Sequence, residues 1–168
     1  MYLEDALAAL DRFGPRFAQI YGQGESPMTI TTLSKQDIAD RDHPRWHERI
    51  ASAGRPFACV DVIVADADDR PLPSGEAGEI LCRGDIVMKG YWKNEEKNKE
   101  AFFYIDYNGL TTRFYKTGDL CLADADGDIM YLGRIDSQIK VQGFRVELSE
   151  IEFFAKEYLK KINAVAIA

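Results

Sequence analysis

Residues 115 to 152, YKTGDLCLADADGDIMYLGRIDSQIKVQGFRVELSEIE, set three groups of glycine and polar residues into otherwise strand-like sequence. Alternating apolar and polar positions put one face of a strand on a core, and clustered Gly and Asp mark where the chain reverses. FYKTGDLCLADADGDIMYLGR therefore reads as a hairpin with its turn at Asp124 to Asp128, and QIKVQGFRVEL alternates well enough to be another. Upstream, VDVIVADADDRPLPSGEAGEILCRG flanks a turn rich in Asp, Pro and Gly with two β-rich runs, which makes a further hairpin.

Helical signals surround these hairpins. Leu3, Ala6, Leu7 and Leu10 recur at helical spacing until Gly14-Pro15 stops the helix, after which RFAQIYG is strand-like and delivers Tyr21 to a glycine-containing turn. Ser34 and Asp42 are candidate caps, Pro44 falls near a first helical turn and Gly54 is the next stop, so residues 34 to 53 read as surface helix. Asn94 opens a short helix, EEKNKEAFF. Ser149 and Glu152 have capping-box spacing, which predicts a helix from about Glu150 to Lys161. NAVAIA at the end reads as the first strand of a sheet whose neighbours are absent, leaving an unpaired edge. The fold class expected is α+β: a β-rich small subdomain of hairpins with flanking helices, followed by an incomplete α/β lid.

A chain of 168 residues that is 46% hydrophobic and 29% charged is long and apolar enough for a core. A formal charge of −7 offers no long-range attraction to nucleic acid or to an anionic membrane, so any nucleotide must be held by local groups. No apolar run approaches the roughly 20 residues that span a bilayer, and MYLEDALAALDRF lacks the basic flank and apolar core of a signal peptide, which predicts a cytoplasmic protein. Cys59, Cys82 and Cys121 are odd in number and lie apart in apolar stretches, so they are expected to be buried free thiols. His43 and His47, four residues apart without a third ligand, belong to a solvated helix face, and Asp124, Asp126 and Asp128 to a hairpin turn rather than a calcium loop.

Four short motifs carry the chemistry. In Tyr21-Gly22-Gln23-Gly24-Glu25 the tyrosine offers a flat apolar face, Gly22 allows close backbone approach, and Glu25 is a hard oxygen ligand suited to Mg²⁺. Glu79-Ile80 with Gly84, Val87 and Gly90-Tyr91 is architectural, with Tyr91 and Trp92 expected to cover the small core. Tyr115-Lys116-Thr117-Gly118-Asp119 places a carboxylate able to take two charge-assisted hydrogen bonds from vicinal hydroxyls. The block Gly133 to Glu147, GRIDSQIKVQGFRVE, is the longest uninterrupted pattern. Together these resemble the AMP-forming adenylating enzymes: acyl-CoA synthetases, amino-acid adenylation domains, D-alanine-activating ligases and luciferases. The resemblance covers about residues 17 to 168 and is most specific from Tyr115 to Glu152.

The resemblance implies an adenine-nucleotide site. Tyr21 would stack on adenine beside Gly22, Glu25 would support Mg²⁺, Asp119 would accept the ribose hydroxyls, and Arg134 would contact ribose or phosphate. Asp136 would be the hinge of a mobile lid, and Gly143 would line a pantetheine tunnel. Gly24 departs from the family, which usually has Thr there, so a hydroxyl contact to phosphate is missing. The implied organisation is 1–53 as the end of a nucleotide-binding core subdomain, 54–134 as a small β subdomain with the ribose motif, and 135–168 as hinge and truncated lid. The implied cofactors are ATP or AMP, Mg²⁺, and coenzyme A or a carrier-protein phosphopantetheine.

No Ser/Thr/Gly-rich phosphate loop precedes Tyr21, and Lys160 and Lys161 do not stand where the lid's catalytic lysine would be. The expected function is therefore a fragment of an ATP-dependent, AMP-forming carboxylate ligase, inactive alone and binding AMP at about millimolar strength, about −4 kcal/mol. Two alternatives stand beside it. One is a non-catalytic binding module or half of a split enzyme whose partner is the remainder of the enzyme or a carrier protein. The other is a chimera joined near Gly90-Tyr91-Trp92, because residues 1 to 89 hold 8 Arg and 2 Lys whereas residues 90 to 168 hold 3 Arg and 8 Lys.

Overall fold

The computed structural model describes residues 3–136, 138–141 and 144–159. It is a mixed α+β chain of two compact units, Met1–Gly133 and Arg134–Ala168.

The first unit opens with helix α1 (Leu3–Phe13), which has Glu4 and Asp5 in its first turn and Arg12 in its last, each favourable to the helix dipole. Its C-terminus closes where the Gly14 N–H donates to the Leu10 carbonyl at 2.8 Å, with Gly14 at φ 65°. The segment expected as one surface helix is two short ones, α2 (Lys35–Ala39) and α3 (Trp46–Ala51), separated by the turn at Asp40 to Arg45. Ser34 caps α2 in a capping box with Asp37, but α3 starts after Arg45, not Asp42. Nor is this a solvated surface: Ile38, Trp46 and Ile50 pack with Ala6, Leu10 and Leu33 into one apolar cluster. Helix propensity at 34–53 yields here to burial of the apolar residues against α1.

Two sheets complete this unit. Strands β1 (Gln19–Gln23), β2 (Ser26–Leu33) and β3 (Arg55–Pro56) form an antiparallel sheet in the order β1-β2-β3. The larger sheet runs β4 (Val60–Ala65), β5 (Ala77–Gly84), β7 (Leu110–Ala123) and β6 (Phe102–Tyr107), with β8 (Ile129–Arg134) also paired to β7. The β4–β5 and β7–β8 hairpins are those read from the sequence. The β6–β7 hairpin is additional, and it turns through Asn108 and Gly109 at φ 54° and 78°, the left-handed pair that a tight two-residue turn needs.

Asn94 caps α4 (Glu95–Ala101) by accepting from the Lys97 N–H at 3.1 Å, but the two phenylalanines expected to extend that helix belong to β6. Phe102 packs its ring 5.3 Å from Tyr115 in the main core, which also holds Ile30, Val64, Ile80 and Cys82. Tyr91 packs against this core, but Trp92 is exposed. Cys82 and Cys121 are buried and free, with burial pushing both thiols up to about 12; Cys59 is exposed, contrary to expectation.

In the second unit, β9 (Gln138–Val141) and β10 (Phe144–Glu147) pair antiparallel and lead into α5 (Leu148–Leu159). Because α5 begins at Leu148, Ser149 lies within its first turn rather than ahead of it. Ile151, Phe153, Phe154 and Tyr158 are exposed on this helix. The expected terminal strand NAVAIA lies outside the described residues, and so does Gly143. Among the described residues no helix is long and apolar enough to cross a membrane.

Candidate functional site

Strands β1 and β7 bring together motifs about a hundred residues apart in sequence. On β7, Tyr115, Thr117, Asp119 and Cys121 are buried in strict alternation, so they share the inward face. A bulge interrupts the pairing there: Glu79 faces Leu120, yet Leu81 faces Lys116, so β7 carries extra residues at Thr117 to Asp119. Gly118 takes φ 71° to make it. The bulge is pinned from β5, since the Thr117 hydroxyl donates to the Ile80 carbonyl at 2.7 Å and the Gly118 N–H donates to Glu79 Oε1 at 2.7 Å. The Asp119 N–H in turn donates to Thr117 Oγ1 at 3.1 Å.

That geometry aims the Asp119 carboxylate at β1. The Tyr21 hydroxyl donates a short hydrogen bond to Asp119 Oδ2, and Gln23 Nε2 donates to the same oxygen at 2.7 Å. Burial, and then the neighbouring Asp119, push the Tyr21 phenol far above its usual range. Gly22, between these two donors, has no room for a side chain: a Cβ would stand 2.4 Å from the Met28 backbone nitrogen. The reason is a bulge in β2, where Tyr21 faces Thr31 but Gln23 faces Ser26, with Met28 at φ 56°.

Glu25 occupies the turn between β1 and β2. Its carboxylate accepts from the Tyr91 hydroxyl at 2.7 Å and its carbonyl from the Met88 N–H at 2.8 Å. Tyr115 links this carboxylate to the other one: its hydroxyl donates to Gln23 Oε1 at 2.7 Å, and burial, followed by nearby Glu25, pushes its phenol well above the usual range. The first unit thus joins Tyr21, Gly22, Glu25 and Asp119. Chemically it offers two carboxylates and buried phenols, with the Gly22 backbone packed against that of Met28.

Arg134 and Asp136 belong to the second unit, where they form a two-pronged ion pair. Arg134 Nε donates to Asp136 Oδ1 at 3.0 Å, and its Nη2 makes a short bond to Oδ2.

Other clusters in the first unit are structural. Asp124, Asp126 and Asp128 converge on one another, but arginines supply their countercharge. Arg45 pairs with Asp124 at 2.9 Å and closely with Asp126, while Arg49 and Arg55 each reach fully buried Asp128 at 3.1 Å. His43 stands in the turn before α3 with Nε2 3.4 Å from Asp126, so it is part of this cluster and not of a solvated helix face. A surface groove of about 470 Å³ is lined by Arg83, Val87, Phe102, Leu110, Thr112 and Arg113, and none of the motif carboxylates reaches it.

Sequence reasoning gave no site role to Gln23 or Tyr115 and read Tyr91 only as cover for the small core. The signal for Tyr115 lay in β7's alternation: a carboxylate in phase with buried Tyr115 and Cys121 needs hydrogen-bond donors from another element.

Residues 2–92 match the family model described as AMP-binding enzyme. The chain belongs to that family. Similarity to other proteins extends well beyond the matched region. Over 153 residues it is 46% identical to bacitracin synthase 2 of Bacillus licheniformis, covering 90% of this chain and 5% of that protein. Over 152 residues it is 34% identical to D-alanine--D-alanyl carrier protein ligase of Lactiplantibacillus plantarum, covering 90% of this chain and 28% of the ligase. Among solved AMP-binding folds, o-succinylbenzoate coenzyme A synthetase of Bacillus subtilis in complex with AMP superposes with a TM-score of 0.62 at 27% identity, over 92% of this chain and 28% of that one. The chain therefore spans less than a third of the length of each.

Proposed function

We propose that this chain supplies the adenine-nucleotide contacts of an ATP-dependent, AMP-forming carboxylate ligase. In such an enzyme a carboxylate attacks the α-phosphate of ATP, forming an acyl-adenylate and expelling pyrophosphate. A thiol, of coenzyme A or of a carrier-protein phosphopantetheine, then takes the acyl group and releases AMP. The observation that carries this reading is the convergence of Tyr21 and Gln23 on one carboxylate oxygen of Asp119, from motifs far apart in sequence.

In this reading the Tyr21 ring faces adenine beside Gly22, and Asp119 accepts the ribose hydroxyls. The donor set fits Mg²⁺: Glu25 supplies one hard carboxylate, and this ion is commonly held by one or two carboxylates together with substrate phosphates. When bound there, Mg²⁺ neutralises charge on the phosphates. Arg134 is the nucleotide contact of the second unit, Asp136 its hinge, and Gly143 the residue beside the thiol arm.

A two-dimensional amide NMR titration of the chain with AMP and Mg²⁺ tests the reading. Saturable shifts at Tyr21, Asp119 and Arg134 are expected at millimolar AMP. Asp119→Ala abolishes them and His47→Ala leaves them intact. A well-dispersed spectrum that does not respond to AMP overturns the reading.

A further inference from the structure

Gln23, between Gly22 and Gly24, has its amide committed on both sides. Nε2 lies 2.9 Å from the Thr117 carbonyl and 2.7 Å from Asp119 Oδ2, and both partners are acceptors. Oε1 accepts from the Tyr115 hydroxyl at 2.7 Å. A carbonyl cannot donate, so only one orientation of the amide satisfies all three contacts. Tyr115 itself stands in the aromatic core against Phe102 and cannot swing away without opening that core.

We infer that Gln23, locked in orientation by Tyr115, is a positioning residue that fixes the carboxylate of Asp119 in the plane a sugar diol requires. A single donor on one oxygen lets a carboxylate pivot about that contact. The second donor on the same oxygen, from an amide that cannot flip, opposes that rotation. Tyr115 also ties Gln23 to the neighbourhood of Glu25, so one hydroxyl orders the surroundings of both carboxylates. The ligand part of this inference rests on the nucleotide reading above, whereas the clamp itself is a property of the protein without ligand.

Three variants separate the two, each measured on the whole 168-residue chain. In the ligand-free protein, the Gln23 side-chain amide protons exchange with solvent more slowly than those of an exposed glutamine, and Tyr115→Phe, which keeps the ring and its packing, speeds that exchange. Gln23→Leu weakens AMP binding by roughly 10-fold or more, the loss expected for a hydrogen bond to a charged group. Tyr115→Phe alone also weakens AMP binding, and in the double variant it adds nothing to the loss from Gln23→Leu.

Additive losses in the double variant, or Gln23 amide exchange indifferent to Tyr115→Phe, overturn the clamp. If wild type ignores AMP while the amide signals behave as stated, the nucleotide reading fails and the clamp stands.

Discussion

Asp37 shows how single side chains make this fold depend on pH. Burial opposes its charge, but the Ser34 hydroxyl at 2.6 Å and the Arg55 guanidinium at 3.0 Å outweigh burial and hold the carboxyl below its ordinary 3.8. A carboxyl whose pKa is lower folded than unfolded contributes stability that is complete above its unfolded value and disappears as pH falls through the folded one. Acid unfolding should therefore set in below about pH 4, and Asp37→Asn should be less stable at pH 7 and show a shallower loss between pH 4 and 2, followed by urea titration. The thiols give a second residue-level expectation. Burial holds Cys82 and Cys121 near 12, so they remain protonated at pH 8, whereas Cys59 is exposed. A thiolate reagent should label one cysteine in the native chain and three in denaturant, counted by mass spectrometry.

At the scale of elements, the β-bulges matter more to the site than the strands themselves. One in β7 turns Asp119 inward, and one in β2 brings the Met28 backbone onto Gly22. Gly22→Ala drives a Cβ into that backbone, which cannot yield as a flexible side chain would. A cost of about 1–3 kcal/mol, typical of overpacking, is expected in denaturant unfolding, together with lost shifts at Tyr21 on adding AMP. The hairpins of β4–β5, β7–β8 and β9–β10 were legible because alternation and turn residues are local signals. So were the Gly14 stop and the Asn94 cap. The split of residues 34–53 and the transfer of Phe102 from helix to strand were not, because tertiary burial decides both. For the candidate site, Tyr21, Glu25 and Asp119 were legible as motif residues. The Gln23–Tyr115 link was not, since a pairing across 92 positions leaves no local periodicity.

For the molecule as a whole, the acidic turn at Asp124 to Asp128 ties β7–β8 to the helical part of the first unit through three arginines on or beside α3 and β3. Its innermost carboxylate, Asp128, is 1% exposed. Hairpin ends are ordinarily where a protein accepts extra sequence most readily, and two such ends on β7 make opposite cases. A four-residue Gly/Ser insertion between Asn108 and Gly109 should lower stability by less than about 1 kcal/mol, the modest entropy of a longer exposed loop. The same insertion between Asp126 and Gly127 pulls Asp128 from Arg49 and Arg55 and should cost about 3–5 kcal/mol, as breaking buried ion pairs does. Equal losses at both sites, read from urea midpoints, would refute this. Lineages of this fold can thus vary in length at one end of β7, while the other end, for all its loop-like composition, must keep its length.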